Sequence, residues 1–82
     1  MTGQERLQNL IQNSEFAHHR MFTASSISDA AGRFEEAKRS LQAAIALAEN
    51  MGDSNKVVWL EHRLTHVTGI YRSRFSRQVK AR

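Results

Sequence analysis

The feature that most constrains this chain is the spacing of apolar residues between Gly32 and Asp53. Apolar side chains recur here at steps of three and four residues, which places them on one side of an α-helix. The members of this stripe are Phe34, Ala37, Leu41, Ala44, Ile45, Ala48 and Met51. The spacing predicts a central amphipathic helix. Its many alanines favour helix and let neighbours approach closely, so we expect helices on both sides of it.

A second apolar stripe precedes this helix and predicts a long N-terminal helix over about residues 2–31. Thr2 and Glu5 have the spacing of a capping box, which places the helix start at the N-terminus. The stripe that follows contains Leu7, Leu10, Ile11, Ser14, Ala17, Met21, Ala24, Ser28 and Ala31. Serine and aspartate compete with the helix for backbone hydrogen bonds, so the cluster at residues 25–29 is where it would bend or break. Gly32 is expected to end this helix in the left-handed conformation.

A third stripe predicts a C-terminal helix after a turn at residues 51–54. Asp53 or Ser54 is expected to cap this helix. Its stripe contains Val57, Leu60, Leu64, Val67, Tyr71 and Phe75, and its apolar side is widened by Val58, Trp59, His66 and Ile70. Gly69 lies within it, although glycine in a helix costs about 1 kcal/mol relative to alanine. That glycine is either tolerated or allows another helix to approach closely.

The composition fits a chain built only from helices. The 82 residues include no proline and no cysteine, which excludes disulfides and thiolate metal sites. The start lacks the profile of a signal peptide, and no apolar run approaches the roughly 18 residues of a membrane span, so we expect a cytoplasmic protein. We predict an all-α three-helix antiparallel bundle, alone or completed by dimerisation. Residues 1–75 would form a single helical domain and residues 76–82 a basic, frayed tail.

The central stretch resembles the second helix of a tetratricopeptide repeat. That repeat places glycine before an aromatic residue, alanine three residues later, and further apolar residues at helical steps. The corresponding positions here are Gly32, Phe34, Ala37, Leu41, Ala44 and Leu47. Extended backwards, the pattern departs from the family's tryptophan, leucine, glycine and tyrosine at Met21, Ala24, Ser25 and Ser28. The resemblance covers one repeat at most, and it implies a TPR-like hairpin that binds a protein.

Several large apolar residues lie off the three main stripes and are candidates for binding a partner. They are Phe16, Phe22, Ile27, Trp59 and Ile70. Three short helices cannot easily cover this additional apolar surface, so we predict that a protein partner covers it. A second copy of the chain, in a homodimer, is the simplest such partner. A fold-back of the first helix near Ser26, which would give a compact four-helix monomer, is the alternative.

The histidines support an alternative function in metal binding. Glu15 and His18 have the Glu-x-x-His spacing with which carboxylate-bridged di-metal bundles place two ligands on one helix face. His62 and His66 are one turn apart on the third helix. These four residues are therefore the candidate ligands of a metal held between the first and third helices.

The segment after His18 and His19 also resembles the motif of histidine phosphotransfer domains. Those domains are four-helix bundles with an exposed histidine on a long helix, followed by lysine, glycine and small residues. In this chain Phe22 takes the place of the lysine and Thr23 that of the glycine. The resemblance implies a phosphotransfer function as a further alternative.

The basic residues are concentrated at the C-terminus. The formal charge of the chain is +4, and no acid accompanies the final group of Arg72, Arg74, Arg77, Lys80 and Arg82. Such a segment can pair with phosphates, so these five residues are the candidate site of an alternative, nucleic-acid-associated function.

We predict neither catalytic residues nor a cofactor, because no nucleophile has an activating partner in the sequence. The main hypothesis is therefore a non-enzymatic interaction module.

Overall fold

In the computed structural model, which describes residues 3–76, the chain forms three α-helices joined by two short turns. Helix α1 is Gly3–Met21, α2 is Ile27–Asn50, α3 is Ser54–Tyr71, and a π-helical turn, Arg72–Ser76, follows α3. No strand occurs in this range, so the predicted all-α three-helix fold is confirmed. None of the helices described is long and apolar enough to cross a membrane. The predicted cap Thr2 and residues 77–82 of the predicted tail lie outside the described residues.

The turn between α1 and α2 corrects the predicted helix boundary. Helix α1 ends at Met21, a few residues before the serine-rich cluster, and α2 begins inside that cluster at Ile27. Ser26 caps α2 by accepting a hydrogen bond from the Asp29 amide at 3.0 Å. The Asp29 carboxylate in turn accepts one from the Ser25 amide at 3.3 Å. The expectation that Gly32 ends the first helix is wrong, because Gly32 lies inside α2 and does not have a positive φ. A side-chain cap satisfies the free amides of the helix start, and it outweighs the modest cost of one glycine.

The turn between α2 and α3 agrees with the sequence prediction. Gly52 adopts a φ of +75°, the left-handed conformation that glycine tolerates best. The Gly52 amide donates to the Glu49 carbonyl and the Asp53 amide to the Ala48 carbonyl, which is the Schellman pattern of a helix end. Asp53 then caps α3 by accepting a hydrogen bond from the Lys56 amide at 3.1 Å. This turn fixes the direction in which α3 leaves α2.

Helix α2 is the central element, since both α1 and α3 pack along it. Its buried side is the predicted stripe, in which Ala37, Leu41, Ala44 and Ala48 are fully inaccessible. The buried residues of its neighbours are Leu7, Ile11, Ser14, Ala17 and Met21 on α1 and Leu60 and Val67 on α3. The small alanines let both flanking helices approach the α2 backbone closely. One continuous core therefore runs along both flanks of α2.

An aromatic contact and a buried hydrogen bond add to this core. The Phe34 and Tyr71 rings stack in parallel, with centroids 4.2 Å apart, and join α2 to the end of α3. Buried Ser14 donates its hydroxyl to the Ile11 carbonyl at 2.7 Å, which satisfies a polar group inside the core. Gly69 has open space where a Cβ would stand, so close approach of another helix does not explain it.

Candidate functional site

Most of the apolar residues predicted to bind a partner are exposed. Phe16, Phe22, Ile27 and Trp59 have between 43% and 63% of their surface accessible. Ile70 is instead half-buried against the core. Val58, on the same helix as Trp59, is 52% exposed although the sequence analysis placed it on the apolar side of α3. The spacing of apolar residues in α3 predicts an apolar side that is wider than α2 can cover. It does not predict which residues on that side are exposed to solvent.

A strip of rings follows the line where α1 faces α3, and we call it the α1–α3 seam. On α3, Trp59, His62, Arg63 and His66 line one shallow depression. The centroid of the His66 ring lies 6.4 Å from that of the His18 ring on α1. The rings of His18 and Phe22 are nearly perpendicular, in a T-shaped contact with centroids 5.3 Å apart. The seam therefore consists of Trp59, His62, Arg63, His66, His18 and Phe22. Its two largest apolar groups, Trp59 and Phe22, flank the histidines.

Cations accompany the aromatic residues of the seam. Lys56 Nζ lies 5.4 Å from the centre of the Trp59 ring, and the Arg74 guanidinium lies 5.4 Å from the Phe22 ring. Arg63 also reaches across to α1, where its Nη2 is 3.7 Å from Glu15 Oε2. Cations near aromatic faces are attracted by the ring quadrupole. The seam thus combines apolar area with positive charge.

The surroundings of His18 in the seam change its pKa. Its Nδ1 is buried, and no group among the described residues forms a hydrogen bond with it. Burial, followed by the nearby positive charge of Arg63 and then by His66 and His19, lowers the pKa of His18 below its usual 6.5. The ring is therefore neutral at pH 7 and packs as a flat, mostly apolar group between α1 and α3.

The four candidate metal ligands do not meet as a set. Glu15 is paired with Arg63, which places a positive charge where a metal would need a free carboxylate. Only His18 and His66 of the proposed ligands have rings in contact. Across residues 3–76, no group of three or more histidine, cysteine or acidic side chains lies together as metal ligands would. Of the phosphotransfer candidates, His18 is half-buried and His19 is exposed.

The basic candidates lie partly within the described residues. Arg72 and Arg74 are exposed in the π-helical turn, with Arg74 next to Phe22. Arg77, Lys80 and Arg82 lie outside the described range.

The other side of α1 borders a separate groove, which we call the α1–α2 groove. Its lining includes Phe16 and Arg20 from α1 and Arg33 and Arg39 from α2, and its volume is about 410 Å³. The Arg20 guanidinium stacks 4.8 Å from the centre of the Phe16 ring. The four-residue spacing of Phe16 and Arg20 in the sequence could have predicted their contact on one helix face. The position of Arg39 in the same groove could not be predicted, because it depends on how α1 and α2 pack. The candidate residues Phe16 and Phe22 thus belong to two different surfaces.

In comparisons with known proteins, no family model, no curated protein and no solved structure matches the chain. The resemblance of residues 32–53 to a tetratricopeptide repeat therefore stays a prediction.

Proposed function

We propose that this chain is a non-enzymatic interaction module that binds a protein partner through the α1–α3 seam. The observation that carries the proposal is the exposure of Trp59 and Phe22, 46% and 43%, at the two ends of the α1–α3 seam. Large aromatic side chains contribute much of the free energy of protein association because they bury a large area and lose little conformational entropy. The His18 ring between them adds flat area, and its lowered pKa keeps it mostly neutral at pH 7.

A second copy of the chain is the simplest partner for the seam. In a two-fold dimer the same strip would face itself, so Trp59 of one copy could pack against Phe22 of the other. The arrangement would also bring Lys56 near Arg74 of the other copy, because each cation lies by one of these rings. Like charges repel and salt screens them, so such a dimer should strengthen as salt is added.

Light scattering on the purified chain across a salt series tests this proposal. A mass near twice 9.4 kDa, stable or increasing with salt, supports self-association. The double variant Trp59→Ser, Phe22→Ser should then be monomeric. Val58→Ser is the matched control, because Val58 is equally exposed but borders a depression at the α2–α3 turn instead of the seam. Loss of the dimer in the Val58 control would move the interface away from the seam, and a wild-type monomer at every salt concentration would exclude a second copy.

The pairing of Arg74 with Phe22 also favours a second candidate, a nucleic-acid-associated function of the basic C-terminal segment. Single-stranded nucleic acids bind to surfaces that combine stacking rings with cations. Binding of an oligonucleotide that weakens steeply with salt and is reduced by Arg74→Gln would support this candidate. No binding at low salt would eliminate it.

A further inference from the structure

We propose that the α1–α2 groove is a second binding site, and that its ligand is an acidic amphipathic helix of a partner protein. The groove lies on the other side of α1 from the seam, so this inference does not depend on self-association. It is based on the groove's floor, its aromatic wall and its charge.

The floor and wall of the groove suit apolar side chains. Ala17 is almost fully buried and Ser40 half-buried, so the floor is made of small groups. Phe16 stands beside it as a wall with 63% of its surface exposed, the most exposed large apolar residue described. A groove between two helices accepts residues of a third helix at spacings of three and four. Its volume of about 410 Å³ fits inserted side chains and not a whole helix.

The charge of the groove selects an acidic ligand. Its lining has three guanidinium groups, of Arg20, Arg33 and Arg39, against the single carboxylate of Glu36. Arg33 is already engaged, with its Nη1 3.3 Å from Glu36 and its Nε 3.8 Å from Asp29. Within the described residues, neither Arg20 nor Arg39 forms an ion pair. These two arginines are therefore available to carboxylates of a ligand, with forked donors that match carboxylate geometry.

Two other occupants fit this groove less well. Single-stranded nucleic acid prefers a series of stacking rings along a cationic channel, whereas this groove offers one ring, and Arg20 already lies over it. A second copy of the chain carries a net charge of +4. Three of the four acids on its α2, Asp29, Glu35 and Glu36, are moreover already paired with Arg33 and Lys38. An acidic helix from another protein is the ligand that charge complementarity favours.

The test is a selection from a display library of helical peptides of about five turns, with both faces randomised. Selection is carried out on the wild-type chain and on the variant Arg20→Gln, Arg39→Gln. We expect peptides enriched only on the wild type to carry apolar residues at three- and four-residue steps, flanked by glutamate or aspartate. An empty selection, or enrichment of neutral or basic peptides, would overturn the proposal.

Fluorescence anisotropy on a selected peptide then locates the site. Affinity should fall about tenfold in Arg20→Gln, Arg39→Gln and fall in Phe16→Ala. The matched control Arg6→Gln, Arg72→Gln removes the same charge from exposed positions outside the groove lining, and it should change affinity by less than about twofold. An equal loss of peptide affinity in this control would mean that the net charge of the chain causes the loss. That result would contradict a specific site in the α1–α2 groove. Displacement of the peptide by single-stranded oligothymidylate at lower concentration would assign the groove to nucleic acid instead.

The two proposals fail independently in these experiments. The groove variants should leave the mass in solution unchanged, and Trp59→Ser, Phe22→Ser should leave peptide affinity unchanged. If the seam variants abolish peptide binding while circular dichroism shows intact helices, the peptide binds the seam, and the groove proposal is wrong.

Discussion

Helices α2 and α3 carry similar apolar stripes in the sequence, yet the structure uses them differently. Six residues of α2 are buried, whereas α3 buries only Leu60 and Val67. The central helix is covered from two sides, and α3 is covered mainly by α2. A stripe at the edge of a small bundle therefore stays partly exposed unless something else packs on it.

The solvent-facing sides of the two helices differ as well. The outer side of α2 carries intrahelical ion pairs, such as Arg33 with Asp29 and Lys38 with Glu35. The outer side of α3 instead presents Val58 and Trp59. Ion pairs of this kind keep a helix surface hydrated, while exposed rings and branched side chains gain free energy when they are covered. Helix α2 therefore holds the fold together, whereas α3 leaves apolar surface exposed.

The largest expected effect is Leu41→Ala in the fully buried stripe of α2. Removing this side chain should lower the free energy of unfolding by about 2–5 kcal/mol, because it deletes buried apolar area and leaves a cavity between three helices. Trp59→Ala on α3 should lower it by less than about 1 kcal/mol, although it removes more atoms, because much of the indole is already exposed.

Urea unfolding followed by circular dichroism measures both variants at a protein concentration at which light scattering shows a monomer, because association through Trp59 would otherwise add to the loss in that variant. A loss at Trp59→Ala as large as that at Leu41→Ala would mean that the indole is buried in solution. The contrast between a structural α2 and an available α3 would then be wrong for the free chain.

The next effect concerns Gly52, in the turn that joins α2 to α3. Gly52→Ala should destabilise the fold by about 1 kcal/mol, because a Cβ is strained at a φ of +75° even though no neighbour stands within 4 Å. Gly52→Asn is the matched control and should lose less, since asparagine tolerates the left-handed conformation better. Thermal unfolding of the two variants measures the difference, and an alanine variant as stable as the wild type would contradict the observed turn.

A smaller effect of opposite sign is expected at the helical glycines. Gly32 in α2 and Gly69 in α3 have open space around the position of a Cβ. Alanine at either position should stabilise the fold by up to about 1 kcal/mol, because it favours the helix and restricts the unfolded chain. Thermal unfolding of Gly32→Ala and Gly69→Ala measures the change in stability in α2 and in α3. Stabilisation by Gly32→Ala with destabilisation by Gly69→Ala would show that something packs closely on α3 in solution.

How far the sequence predicts this fold can be judged from the two turns. At the α2–α3 turn a glycine and an aspartate act through local backbone chemistry, so the turn could be placed from residue types alone, with Asp53 and Ser54 both open as the cap. At the α1–α2 turn two local signals compete, the serine cluster at residues 25–29 and the glycine at position 32. The side-chain cap at Ser26 prevails, and the glycine is absorbed into a helix. Sequence alone does not give the relative free energies that decide such a competition.

The candidate site shows the same division between local and tertiary information. The exposure of Phe16, Phe22 and Trp59 could be predicted, because these residues lie off the periodic stripes. Their separation into a seam and a groove could not, since it depends on which side of α1 meets α3. The pairing of Arg63 with Glu15 across helices likewise follows from tertiary packing.

The smallest expected effect is the contribution of His18 to the pH dependence of the free energy of unfolding. His18 lies where α1 meets the partly exposed helix α3. Its pKa in the folded chain is lowered, chiefly by burial and then by Arg63, from the 6.5 of an unperturbed histidine. Below pH 6.5 the unfolded chain therefore binds more protons than the folded one, so stability falls as the pH falls and levels off below the folded pKa. Urea midpoints between about pH 8 and 5 should show this fall in the wild type and a weaker one in His18→Gln. Gln12→Ala, an uncharged substitution at an exposed position on the same helix, should retain the wild-type slope. If His18→Gln keeps that slope as well, the His18 ring is not packed between the helices, and α3 is even less covered than the structure indicates.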